Sequence, residues 1–139
     1  MDLSALNWLA IIAATLPGFV VGFFWYGPLL GSAWMRESGM TEEKIAQGNM
    51  ARTFGLAFVF QFVMAFCLAM FFYGDPDAAE LVTAGTGMLY GFLTGFGWVA
   101  MAIAVNSLFE QRSFNYIAIH GGYWIVVFTL MGLILGAWK

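Results

Sequence analysis

Residues 114–138 read FNYIAIHGGYWIVVFTLMGLILGAW, and this run contains no Asp, Glu, Lys or Arg. A helix that crosses the hydrocarbon layer of a bilayer needs about 20 mostly apolar residues, and its backbone must satisfy its own hydrogen bonds there. The run meets both demands. Three further stretches do the same, at about residues 4–27, 54–73 and 81–108. Only Glu80 touches an edge of any of them. The spacing therefore predicts an all-α chain: an integral membrane four-helix bundle in a single transmembrane domain, residues 1–139.

Composition agrees. Of 139 residues, 62% are hydrophobic and 9% are charged, with a mean hydropathy of +0.83. A soluble domain carries about 25% charged residues, so a water-solvated core of this composition is excluded. Lipid tails are the partner that covers such a surface. Met1-Asp2-Leu3-Ser4 lacks the basic start of a secretory signal, so the first stretch is expected to be a retained helix.

The connectors have their own grammar. Gly27-Pro28 breaks or kinks the first span, because proline lacks a donor and restricts its predecessor. The one sizeable loop follows, with Thr41 capping a short surface helix through Gln47 and Glu42 and Glu43 at its positive end. Gly48-Asn49 ends that helix. Gly74-Asp75-Pro76-Asp77 reads as a turn, and residues 109–113 as a tight polar link. Arg36, Lys44, Arg52 and Arg112 fall on one side and only Lys139 on the other. Basic residues favour the cytoplasmic side. The expected location is the cell inner (cytoplasmic) membrane, multi-pass, with both termini outside.

An echo runs through the chain. Residues 18–25 read GFVVGFFW and residues 91–98 read GFLTGFGW. Arg52-Thr53-Phe54 and Arg112-Ser113-Phe114 open the second and fourth spans. Two tandem helical hairpins related by an axis along the membrane normal give this pattern, and so does coincidence in Gly- and Phe-rich sequence.

Two sets of residues are candidates for function. Gly18 and Gly22, then Gly87, Gly91 and Gly95, then Gly132 and Gly136 recur four apart. Such stripes let backbones approach, either inside the bundle or between copies in a homo-oligomer. Gln61, Asn106, Tyr116 and His120 form the second set. Gln61 and His120 sit roughly 10 Å inside the cytoplasmic boundary at 1.5 Å per residue. Polar side chains at that depth face a partner or a cavity. A polar pocket in the cytoplasmic half is one expectation, and an interhelical hydrogen bond that locks the bundle is the other.

Several chemistries find no support. One His and one Cys cannot supply the three or four ligands of a zinc site, so no metal and no cofactor is expected. Cys67, inside an apolar run, reads as a small buried hydrophobe. No Ser or Cys has a His and an acid at recognisable spacing, so no catalytic residue is named. The glycines lie inside spans rather than in a phosphate-binding loop, and no basic patch points to nucleic acid.

Asn7-Trp8, Trp25-Tyr26-Gly27-Pro28, Gly31 and Trp34, the stretch from Asn106 to Phe114, and the close from Gly121-Gly122-Tyr123-Trp124 through Met131-Gly132 to Gly136-Ala137-Trp138 resemble the family labelled domain of unknown function 1761. The resemblance covers essentially the whole chain. It implies a small four-span bacterial-type membrane protein, and it supplies no activity and no catalytic residue. It marks Trp25, Tyr26, Pro28, Trp34, Asn106 and Gly132 as important to fold or function. The expected partners are membrane lipid, an unknown small molecule and further copies of the chain. Two functions compete: binding or transport of a small molecule or lipid through the polar pocket, and a non-catalytic assembly subunit packed through its glycine faces. An enzyme would need acid–base groups supplied by a partner or cofactor.

Overall fold

The computed structural model describes residues 2–139. Four helices are long and apolar enough to cross a membrane: α1 (Trp8–Leu29), α4 (Met50–Tyr73), α6 (Ala84–Phe109) and α7 (Phe114–Ala137). Three short helices join them, namely α2 (Gly31–Ser38), α3 (Glu42–Ala46) and α5 (Pro76–Glu80). No strand occurs among the described residues. The protein is an all-α, multi-pass membrane bundle.

Side chains set the helix starts. Asn7 accepts from the Ala10 amide at 3.1 Å, Asn49 from Arg52 at 3.1 Å and Ser113 from Tyr116 at 3.0 Å. Thr83 and Thr86 close a capping box at the start of α6. The first span begins later than its apolar run suggests, because Leu3–Ala5 form a separate 3-10 turn before the Asn7 cap. Asn49 is likewise the start of α4 as much as the end of the loop.

Both α1 and α6 are interrupted. Pro17 cannot donate to Ala13, and the Leu16 amide bonds that carbonyl instead at 3.2 Å. At Trp25–Leu29 the helix widens to a π turn, with the Leu30 amide donating to the Trp25 carbonyl at 2.8 Å. Gly27 leaves helical geometry there, at φ −110° and ψ −108°. A second π turn spans Gly95–Ala100. Both wide turns overlap the GFxxGFxW echo, and such turns often mark functional positions.

α7 is the hub, packing on α1, α4 and α6. Its contact with α6 is backbone on backbone. A Cβ built on Gly87 or Gly91 strikes the carbonyl of Gly132 or Phe128, and one on Gly132 strikes Gly87. A Cβ on Gly136 strikes the Thr83 carbonyl, and one on Gly95 would lie 3.0 Å from Ile125 Cα. All five of these stripe glycines are occupied by one contact inside the chain. Elsewhere the core is Ile11, Ala14, Leu68, Val127, Met131 and their neighbours.

Between α4 and α6 the bundle gapes. A lateral groove of about 230 Å³ opens there, lined by Leu68, Phe71, Phe72, Tyr90, Thr94 and Trp98. Cys67 is exposed on the outside of α4. This corrects the expectation of a buried thiol: an apolar run looks the same whether a position faces core or lipid. The two ends of the molecule are distinct. Asn7, Trp138 and the 74–82 segment share one end, and α2, α3 and the 110–113 link share the other.

Candidate functional site

At the loop end, the seam between α1 and α7 is filled by aromatic rings around one imidazole. The π turn rotates Tyr26 toward α7, where its hydroxyl meets His120 Nδ1 at 2.7 Å. Tyr26 makes no other side-chain hydrogen bond among the described residues. Either partner can donate across this contact: with the phenol donating, a neutral imidazole carries its proton at Nε2, and with Nδ1–H donating, Nε2 is an acceptor. Nε2 makes no hydrogen bond among the described residues.

Rings fix this pair in place. Tyr116 lies one turn before His120 and meets it edge-on, with centroids 4.4 Å apart. Tyr123 stands 5.2 Å from Tyr26 on the other side. Trp34 of α2 meets Tyr26 edge-on at 5.4 Å. Trp25 lies over Gly122, where a Cβ would come within 3.0 Å of its ring, and its indole N–H donates to the Ile119 carbonyl at 2.8 Å. Gly31 admits the chain back against the Tyr26 carbonyl, 2.8 Å from where its Cβ would stand.

Charge gathers at the rim. The Arg112 guanidinium lies over the Tyr116 ring at 5.0 Å, a favourable cation–π geometry. Its Nη1 donates to the Ser38 carbonyl at 3.4 Å, and its Nε is 3.9 Å from Glu110. Glu37 of α2 accepts from the Ser113 hydroxyl at 2.7 Å and from Asn115 at 3.3 Å, with Arg36 at 3.7 Å. The Ser113 and Asn115 bonds, Ser113 first, hold the Glu37 carboxyl below the usual carboxylate range.

The polar set named from sequence is divided. Tyr116 and His120 are in ring contact. Gln61 lies deeper, on the seam of α4 with α1, with 6% of its surface exposed. It fills the notch left by Gly18, and its Oε1 makes no hydrogen bond. Tyr123 reaches the same level, donating to the Gly18 carbonyl at 2.6 Å, with Gly22 in ordinary contact beside its hydroxyl. Asn106 is exposed on α6 and bonds none of the others through its side chain. Rings, rather than an open pocket, fill the layer. Tyr26 and Tyr123 are the members that sequence reading missed as polar groups. The Trp-Tyr-Gly-Pro break was the available signal, since it turns Tyr26 off the regular helix face. Among the described residues no three His, Cys, Asp or Glu side chains cluster as metal ligands do.

The sequence pattern of a family described as protein of unknown function (DUF1761) matches residues 9–136. The chain belongs to that family. No curated protein and no solved structure matches it. Of the residues that the DUF1761 resemblance marks, Trp25, Tyr26, Pro28 and Trp34 converge on this seam. Gly132 serves the α6–α7 contact and Asn106 stands apart.

Proposed function

We propose that this membrane protein binds a small molecule or lipid headgroup bearing hydrogen-bond acceptors at the loop end of the α1–α7 seam, and that this end lies in the cytoplasm. One observation carries the reading. The Tyr26–His120 hydrogen bond orients a half-buried imidazole and commits its Nδ1, leaving Nε2 without a partner among the described residues on a ring packed against Tyr116, whose face carries the Arg112 guanidinium. The rim arginine adds attraction for an anionic or strongly polar acceptor such as a phosphate ester. The basic residues clustered at this end support the cytoplasmic assignment.

The test is native mass spectrometry from mild detergent, with short-chain phosphatidylglycerol and inorganic phosphate titrated as separate probes. His120→Ala is expected to weaken retention of one probe by about tenfold, the equivalent of one charge-assisted hydrogen bond, while the unfolding midpoint holds. Tyr26→Phe is expected to weaken it less, since the ring stays but the imidazole loses its orienting hydrogen bond. Phosphatidylglycerol retained without free phosphate marks a lipid site. The reverse marks a soluble ligand. Retention of both probes unchanged in His120→Ala overturns the reading.

A further inference from the structure

The same seam carries a cover, and its fastening is visible. α2 lies across the loop end of α1 and α7, between the Gly27 departure from helix and Gly39, whose φ of +75° ends α2 in a left-handed turn. Trp34 is its inward side chain, edge-on to Tyr26. Three polar links to α7 or the link before it hold it down: Glu37 to Ser113, Glu37 to Asn115, and Arg112 to the Ser38 carbonyl. Two of the three end on one carboxylate, which also stands at the positive end of α7.

We propose that α2 is a lid over the Tyr26–His120 pair and that Glu37 is its latch. This rests on the binding reading only for its purpose; the motion itself is a property of the fold. Trp34 packs edge-on against Tyr26, and among the described residues no disulfide ties α2 down and none of its side chains belongs to the hydrophobic core. Breaking the Glu37 bonds releases α2 about Gly27 and Gly39, withdraws Trp34 from Tyr26 and opens His120 to the aqueous phase. The charged group in contact with Glu37 is Arg36 on its own helix; Arg112, on the link to α7, bonds the neighbouring Ser38 carbonyl and stands beside Glu110.

His120 is the single histidine of the chain, so its modification by diethyl pyrocarbonate at constant pH reports access to the imidazole without a label. Glu37→Ala is expected to raise the carbethoxylation rate by about tenfold, since a hydrogen bond to a charged group is worth roughly that factor in a closed–open equilibrium. Glu43→Ala, on α3, is expected to leave it unchanged. A cross-linked Glu37→Cys/Asn115→Cys chain, in a Cys67→Ala background, is expected to react more slowly than its reduced form. That pair keeps the test decisive if Glu37→Ala does not fold. Equal rates in the Glu37→Ala and unmodified chains, or in the cross-linked and reduced forms, overturn the lid. The rate reads access whether or not any probe binds, so the lid and the binding site fail separately.

Discussion

Gly18 and Gln61 occupy one volume between them. The place where a Gly18 side chain would start is filled by the Gln61 amide, whose Oε1 is buried and unpaired. A buried acceptor without a donor costs about 1–3 kcal/mol. Gln61→Met, of similar shape, is therefore expected to hold or raise the unfolding midpoint in detergent; a marked fall would mean that the amide has a donor in the folded protein. Gly18→Ala acts oppositely. It forces the amide out of its notch and is expected to lower stability by about 1–3 kcal/mol, read in the same melt. Both residues stood out in the sequence, one for its polarity and one for its spacing. Their meeting did not, because helical register gives the face of one helix and says nothing of which neighbour lies against it.

At the scale of the element, α6 and α7 are joined where neither has a side chain. Gly91→Leu drives a branched chain into the Phe128 carbonyl and is expected to destabilise the fold by at least the roughly 1–3 kcal/mol of ordinary overpacking. Titration with a denaturing detergent would read this as earlier loss of the bundle. α2 responds to pH instead. The Glu37 carboxyl is held below its ordinary range in the fold, so its contribution is present above the unfolded carboxyl pKa and is lost as pH falls through the lower folded value. Hydrogen exchange over Gly31–Ser38, corrected for the intrinsic rate, is expected to speed up in that acid window. The spans themselves were legible from the absence of charge, and the Thr41 cap from its residue types. α2 was not. Its sequence, GSAWMRES, is short and mixed in character, and what holds it is a carboxylate reaching across to α7.

For the whole molecule, the pairing of ends follows from an even number of spans, and the Asn7–Trp138 contact shows both termini at one end. Which side of the membrane that end faces rests on the basic residues of the opposite loops. A reporter active only outside the cytoplasm, fused after Lys139, is expected to be active. A cytoplasmic signal would reverse the orientation and move the lid to the other side. The packing of the bundle is uneven. The α6–α7 contact is closed by glycine, the α1–α7 seam is closed by aromatic rings and hydrogen bonds, and α4 and α6 leave a groove. Composition shows four helices to be apolar on all sides; it does not show which pairs close.

The central position of α7 also has a consequence for synthesis. α1 and α4 enter the bilayer before α7 has been made, so Trp25 and Tyr26 wait without the Ile119 carbonyl and the His120 ring that later engage them. A nascent chain arrested at the 110–113 link would display these polar groups to lipid or to the insertion machinery. Polar groups left without partners in lipid are costly, so that intermediate is less stable than the finished bundle. Docking of the fourth helix gives both groups their partners, so these two bonds of α1 cannot form before the last span has been made.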